Sequence, residues 1–475
     1  MSEPFRIAVI GGGISGLAAA FRISELQPSA CVRLFEASSQ LGGSLRSLRE
    51  DDLLIELGAD NFITNVPWGL DLCRRLGMEG DLLTTDEQRR QAFVVHRSKL
   101  VKVPQGFLLM TPSRLWPILS TPLLSPLGKL RLLAEWFLPA RKLLDDESLG
   151  SFVRRRFGCE VFERLVQPLV GGIYTADPER LSLQATMPRF LEMEQKHGSL
   201  IRATLKGRSP SEPQESGARY GMFVAPRDGM ASIAERIAEK LPADSIQLHA
   251  AIDRIERSAD GLWRLSILTS PRGEPRLPER AEFDAAIVAL PAHRASQLLA
   301  PLDAELSELL GEIPYAGTSV VTLVYRRHDI GHPLDGFGFV VPAIEKRQIL
   351  AASFASNKYP GRAPDGQVLI RVFIGGACQP ELADLSDERL QAIAVTELAE
   401  LLQIQGQPLK VGIARWPRSM PQYHVGHTEI VERIETLAWK HPGLALAGNA
   451  YHGVGVPHCV RSGELAAERV LIEAR

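Results

Sequence analysis

The chain is poor in what several protein classes require. Its five cysteines, Cys31, Cys73, Cys159, Cys378 and Cys459, are odd in number, scattered and free of any C-x-x-C pair. Such a set speaks against a disulfide framework, and reduced thiols in a cytosolic setting fit it best. Neither sign of charge dominates: 54 Lys plus Arg face 56 Asp plus Glu, a formal net charge of -2, so no positive surplus exists for a sequence-blind grip on nucleic acid. Long apolar runs are missing as well. The uncharged apolar stretch Leu115 to Gly128 is broken by Pro117, Pro122 and Pro126 and is too short to cross a bilayer as a helix. The start, where Glu3 leads directly into an apolar strand pattern, lacks the basic lead and long apolar run of a secretory leader, and export is not expected. No fixed-period repeat is present, which sets solenoids and propellers aside.

What is present is enough apolar material, 45% of 475 residues, to fill more than one core. Phe5 to Ile10 reads as a buried strand, Ile14 to Leu26 as a helix and Val32 to Glu36 as a second strand, a tight βαβ unit. From Gln91 to Gln195 the pattern is rich in Leu, Arg and Pro without clear strand alternation and predicts a mostly helical insertion. The polar stretch 204–220 predicts an exposed loop. Ala231 to Leu241 reads as an amphipathic helix, Ser245 to Leu268 as a pair of strands, and Phe283 to Leu290 as a buried strand. Residues 316–376 alternate strands and turns, as an antiparallel sheet walling a pocket would.

The sharpest local signal is Gly11, Gly13 and Gly16, a G-x-G-x-x-G directly after the first strand and before the first helix. The first glycine permits a tight turn, the second lets backbone approach a pyrophosphate, and the third lets helix and strand pack closely. Gly12, Ile14 and Ser15 complete the loop, whose helix N-terminus presents unpaired N–H groups to phosphates. Glu36, at the end of the second strand and followed by Ala37, stands where a ribose hydroxyl would be held. A dinucleotide site follows, with FAD and NAD both still open.

The next segments bring a resemblance. Gln40 to Arg46 (QLGGSLR), with Gly42 and Gly43, resembles the second glycine motif of the monoamine-oxidase-like flavoproteins, although Ser44 stands where that family usually has Arg. Glu56 to Phe62 (ELGADNF), with Gly58, Ala59, Asp60 and Asn61, is similar to the strand and turn that run near the isoalloxazine there. Leu444 to Arg461 (LALAGNAYHGVGVPHCVR) resembles the segment that closes the site, implying flavin contacts at Gly448, Asn449, Gly453, Val454 and Gly455. The resemblance implies FAD as cofactor. It also implies an α/β fold with a discontinuous Rossmann-like FAD-binding domain (1–88, 221–303 and 410–475), an α+β substrate domain built on an antiparallel sheet (304–409) and a helical, membrane-associating domain (89–203), with the flexible loop at 204–220.

Within that superfamily, LVGGIYTADPERLS at 169–182, DGFGFVVP at 335–342, ARWPRSMPQYHVGH at 414–427 and the GNAYHGVGVPHCV segment resemble the oxygen-dependent porphyrinogen oxidases, those of protoporphyrinogen and coproporphyrinogen III. The activity so implied is dehydrogenation of a porphyrinogen to the porphyrin in heme biosynthesis. Hydride would pass to the flavin, with dioxygen as acceptor and hydrogen peroxide as product. Phe337, Gly338, Val340 and Phe373 would line the macrocycle, Trp416 would pack against the cofactor, and Ile252 would offer backbone to the adenine. The arginine that approaches a propionate in several relatives aligns with Val101, leaving Lys99 and Lys102 as candidate anchors. Residues 105–140, with Trp116, Trp136 and Phe137 beside Lys129 and Arg131, suit an interfacial surface. The expected setting is cytoplasmic, peripheral on the cytoplasmic face of a membrane, with a homodimer or handover to a ferrochelatase among the partnerships implied. Amine oxidation, carotenoid desaturation and a non-catalytic flavin-binding scaffold are the alternatives. The C-terminal histidines, His424, His427, His452 and His458, lack recognisable metal-ligand spacing, and neither Ser15 nor Cys459 has an identifiable base that would make it a nucleophile.

Overall fold

The computed structural model describes residues 4–86, 89–141, 145–206, 223–269 and 277–473. Its first layer is a five-stranded parallel sheet in the order Ile246–Gln247, Cys31–Phe35, Arg6–Ile10, Ala285–Val288 and Leu444–Leu446. The central strands RIAVI and AAIV are nearly continuous apolar runs because both faces are covered. Ile7 and Val9 face a core shared with the helices Ile14–Leu26 and Val456–Glu473, while Ala8 and Ile10 face Trp263, Leu265 and Ile267. Those last residues belong to an antiparallel meander, Ala250–Arg257, Trp263–Thr269 and Leu277–Phe283, which forms the crossover into the Ala285 strand.

The second layer is a seven-stranded sheet in the order Lys410–Pro421, Tyr315–Arg326, Gln367–Gly375, Ala351–Phe354, Gly338–Val340, Ala92–His96 and Lys99–Lys102. All neighbours are antiparallel except Gly338–Val340 with Ala92–His96. The helix Asp387–Leu402 packs on one face through Leu390, Ala394 and Leu398 against Val321, Ile370 and Val372. Two segments differ from the sequence expectation. Residues 92–102 form a strand hairpin rather than helix, and Lys410–Pro421 is an edge strand of this sheet rather than part of the nucleotide layer. Both pair with distant segments, so local periodicity underspecifies them.

Between Leu115 and Lys206 helices surround a separate core that includes Phe152, Phe157, Leu165 and Phe190. Its charged centre is an ion pair between the fully buried Arg156 and Glu135. Glu135 also accepts from Ser199 Oγ at 2.6 Å and from the Leu200 amide at 2.8 Å, which satisfies a helix start. The loop expected at 204–220 lies outside the described residues from 207 on, and residues 204–206 close the helix Leu200–Lys206.

Candidate functional site

The glycine loop sits at the carboxyl end of the central strand, where open parallel sheets bind ligands. Gly11 takes φ +109, and a Cβ on Gly16 would overlap the Gly11 carbonyl, so helix and turn pass in contact. At Gly13 an added Cβ would meet nothing within 4 Å. Gly13 also begins the Ile14–Leu26 helix with no side chain accepting from the first-turn amides, so those N–H groups remain for an anion. Ile14 and Ser15 are buried beneath.

Glu36 closes the second strand with Oε2 accepting the Gly12 amide at 2.8 Å and Oε1 the Ser38 amide at 2.8 Å. Each oxygen retains a lone pair for a ribose hydroxyl. The Glu36 amide donates to Gln247 O at 2.9 Å and its carbonyl accepts from the Ala250 amide at 2.9 Å. This ladder carries the strand holding Ile252 past Glu36 and the exposed Ala37.

The second glycine pair lies on the first loop. The Gly42 amide donates to Gly12 O at 2.8 Å, Gly13 and Gly42 form an isolated parallel bridge, and a Cβ on Gly43 would stand 3.2 Å from Gly13 Cα. The chain then returns along itself, Leu57 N–H to Arg46 O at 2.8 Å and Ala59 N–H to Ser44 O at 3.2 Å, which brings Gly58 and Ala59 beside the glycine pair. Trp416 donates from Nε1 to Leu57 O at 2.8 Å, and the Arg46 guanidinium lies 5.9 Å from its ring. Ser44 is exposed, whereas Arg46 Nε is buried without a hydrogen-bond partner. A buried donor left unpaired costs about 1–3 kcal/mol, so Arg46 fits an acceptor on a bound group. The unfilled space at Gly13, the uncapped helix start, Glu36 and Arg46 together fit FAD.

The C-terminal segment closes the site. The Gly448 amide donates to Ser462 Oγ at 3.0 Å and Asn449 Nδ2 to Ser419 O at 3.4 Å. Gly453 and Gly455 are partly exposed at the lead into the Val456–Glu473 helix, and Val454 packs against the helical core. That helix crosses Ile14–Leu26 closely: a Cβ on Gly463 would fall on the Ser15 carbonyl.

Opposite stands the face of the seven-stranded sheet turned away from the Asp387–Leu402 helix. Cross-strand partners share a face: Phe373 pairs with Val320 and Ala351, Arg371 with Ser353 and Thr322, and Ser353 with Gly338. Val340 lies on the same face, close enough that a Cβ on Gly172 would come within 3.1 Å of it. Phe373 and Val340 are partly exposed; Phe337 is only 2% exposed and its ring belongs to the packed interior. Lys102 pairs with Asp335 at 2.8 Å and Lys99 is exposed at the hairpin end. Val101, between them, faces the helical core. Asp60 lies in an ion-pair cluster, 3.2 Å from Lys358 and 3.3 Å from Arg371, with Asn61 Nδ2 donating to it at 2.9 Å. Burial alone would raise its carboxyl, but the two cations outweigh that and hold it at about 2.

Arg371, Ser353 and Tyr423 were not singled out from sequence. Arg371 is 1% exposed, its Nε and the Ser353 Oγ have no hydrogen-bond partner, and it shares a face with Phe373, which the alternation in QVLIRVFIG signals. Burial pushes the Cys459 thiol up to about 12, so it stays neutral and is no nucleophile at neutral pH. The histidines go to separate partners: His427 to the Tyr451 carbonyl, His452 to Glu435 and His458 to the Trp68 ring. No group of three or more His, Cys, Asp or Glu among the described residues is placed to hold a metal, and no described helix is long and apolar enough to cross a membrane.

Comparison with known proteins bears on this geometry. Over 473 residues the chain is 33% identical to the coproporphyrinogen III oxidase of Bacillus subtilis (strain 168), covering 98% of this chain and 97% of that one. It is 28% identical over 489 residues to protoporphyrinogen oxidase 2, chloroplastic/mitochondrial, of Arabidopsis thaliana, covering 98% and 94%. A crystal structure from Exiguobacterium sp. 255-15, of a protein named as a candidate protoporphyrinogen oxidase, superposes with a TM-score of 0.86 at 31% identity, covering 100% of this chain and 99% of that one. Residues 14–471 match the flavin containing amine oxidoreductases. The chain belongs to that family, and is an FAD-dependent oxidoreductase.

Proposed function

We propose that this enzyme oxidises a porphyrinogen to the porphyrin in heme biosynthesis, removing six hydrogens as three hydride and proton pairs and passing the electrons to three dioxygen molecules to give three hydrogen peroxide. The observation that carries this is end-to-end similarity to a coproporphyrinogen III oxidase, 98% of this chain against 97% of the relative. Phe373, Val320, Ala351 and Val340 share one face of the seven-stranded sheet, an apolar surface that suits a flat macrocycle.

Bound FAD supplies the hydride acceptor. The protein's own residues hold and align. Glu36 takes the ribose, the Ile14–Leu26 helix start takes the pyrophosphate, and Arg46 supplies the cation that Ser44 does not. The apolar wall fixes a methylene bridge near contact, which is where proximity lowers the barrier most. Such a reaction asks no side chain for nucleophilic attack, in agreement with the neutral Cys459.

Coproporphyrinogen III and protoporphyrinogen IX are the two substrates to separate, and the higher identity to the Bacillus enzyme favours the former. Anaerobic mixing of the flavin-loaded protein with each decides: flavin bleaching, then porphyrin fluorescence and peroxide on admitting air, names the substrate. Absence of bleaching with both overturns the reading.

The same reading includes peripheral membrane contact. Trp116, Leu127, Leu130 and Phe137 are 78%, 78%, 63% and 83% exposed on neighbouring helices of the 115–137 region, a concentration of apolar side chains suited to a lipid surface.

A further inference from the structure

Among the motifs of the chain, the stretch from Arg415 to His427 reaches two segments remote from each other in sequence, the Leu57–Gly58 turn and the 449–453 loop. Its Trp416 grips Leu57 O. Its Tyr423 hydroxyl donates to Asn449 O at 2.5 Å and accepts from the Gly453 amide at 2.8 Å, bridging the two ends of the Gly-rich loop. The Tyr423 ring stacks on His427, centroids 3.9 Å apart and planes within 11°, and His427 Nε2 lies 3.2 Å from Tyr451 O. A carbonyl only accepts, so Nε2 must carry the proton. Three backbone groups of the 449–453 loop are therefore held by two stacked side chains.

The same tyrosine is anchored elsewhere. Its ring, 3% exposed, belongs to the helical core, and its carbonyl accepts from the Ser182 amide at 2.7 Å. Val425 N–H donates to Arg180 O at 2.9 Å and Gly426 N–H to Asp146 Oδ2 at 3.2 Å. The loop at the flavin is thus tied, through one phenol, to the helical layer. Burial raises that phenol well above its ordinary value, so the hydroxyl stays protonated and can both donate and accept.

We propose that Tyr423, seated on His427, is a positioning residue: it fixes the Asn449–Gly455 loop and the start of the Val456–Glu473 helix against the flavin, and thereby sets the cofactor's affinity and reduction potential. The helix start is electropositive and favours negative charge developing on the group it faces. A loop released from Tyr423 lets that end drift and weakens the effect. The proposal rests on flavin binding, which family membership establishes, and is independent of which porphyrinogen is oxidised.

Tyr423→Phe deletes one oxygen and keeps the stacked ring. The expected result is FAD binding to apoprotein weakened about tenfold, a midpoint potential below wild type and an altered visible flavin spectrum, with substrate KM unchanged. Wild-type affinity, potential and spectrum in that variant overturn the proposal. Should Tyr423→Phe fail to fold, His427→Phe keeps the stack and removes only the bond to Tyr451 O. The same three readouts then decide, and no change in them sinks the idea. Because potential and FAD affinity need no substrate, a failed porphyrinogen assay leaves this test intact.

Discussion

At Glu36 one carboxylate serves two backbone amides and has capacity left for a ribose. Glu36→Gln keeps the shape, loses the charge and turns one acceptor into a donor facing an amide. FAD affinity of the apoprotein, read by quenching of flavin fluorescence, should fall by about tenfold, equivalent to roughly 1.4 kcal/mol. At Asp60 and Arg371 the balance is one of charge. Arg371→Met leaves a partly buried carboxylate with Lys358 as its nearest remaining cation, and thermal or urea unfolding should show a loss of about 3 kcal/mol. Asp60 sits at about 2, below its unfolded value, so its contribution is complete above the ordinary carboxylate range and vanishes as pH falls through about 2. His427 is opposite in cause: burial, partly offset by the Tyr451 carbonyl, lowers its ring to about 4. The unfolded chain then binds the extra proton first, so stability is full above about pH 6.5 and declines towards pH 4. In His427→Phe this decline should flatten in urea titrations at pH 7, 6, 5 and 4; an unchanged slope would show that the ring does not titrate in this way.

At the level of elements, the crossing of the first and last helices is fixed by absent side chains. A Cβ on Gly463 would lie on the Ser15 carbonyl and 3.1 Å from the Ala19 amide. Gly463→Ala should therefore cost about 2 kcal/mol through forced separation of the helices and weaken FAD binding in parallel, since Ser15 is in the phosphate-facing turn. Calorimetry on apoprotein and holoprotein checks both. These elements are also where the sequence was most readable. The RIAVI strand, the glycine turn and the Ile14–Leu26 helix follow from local pattern alone, because strand burial, turn and helix start all fall within twenty-odd residues. AFVVH at 92–96 was not readable as a strand: it is short, followed by Arg97, Ser98 and Lys99, and stabilised by pairing with Gly338–Val340 far along the chain. The edge strand Lys410–Pro421 hides its period behind Pro417 and a register shift opposite Ala316 and Thr318. Arg371 is not legible because a charged residue in a strand reads as solvent-facing, while its burial depends on Asp60 and the Gly58 carbonyl, both remote in sequence.

Across the whole molecule, the nucleotide layer, the seven-stranded sheet and the helical core are tied together by a few side chains. The nucleotide layer meets the seven-stranded sheet where Trp416 holds Leu57 O and Arg371 holds Gly58 O, while Tyr423 and Val454 join the helical core to the 449–454 loop. Trp116, Leu127, Leu130 and Phe137 are exposed on the helices of the 115–137 region, and a Trp116→Ser, Phe137→Ser double variant should lose most of its sedimentation with anionic vesicles while leaving flavin content unchanged. Equal sedimentation by both proteins would remove lipid contact from the picture.

The strand order has a consequence for synthesis of the chain. The first strand, Arg6–Ile10, pairs on one side with Ala285–Val288, which in turn pairs with Leu444–Leu446. A nascent chain therefore exposes its first glycine turn until the Ala285–Val288 and Leu444–Leu446 strands and the Val456–Glu473 helix have been made. A site that needs both of those strands and the Val456–Glu473 helix is complete only once that helix has been made.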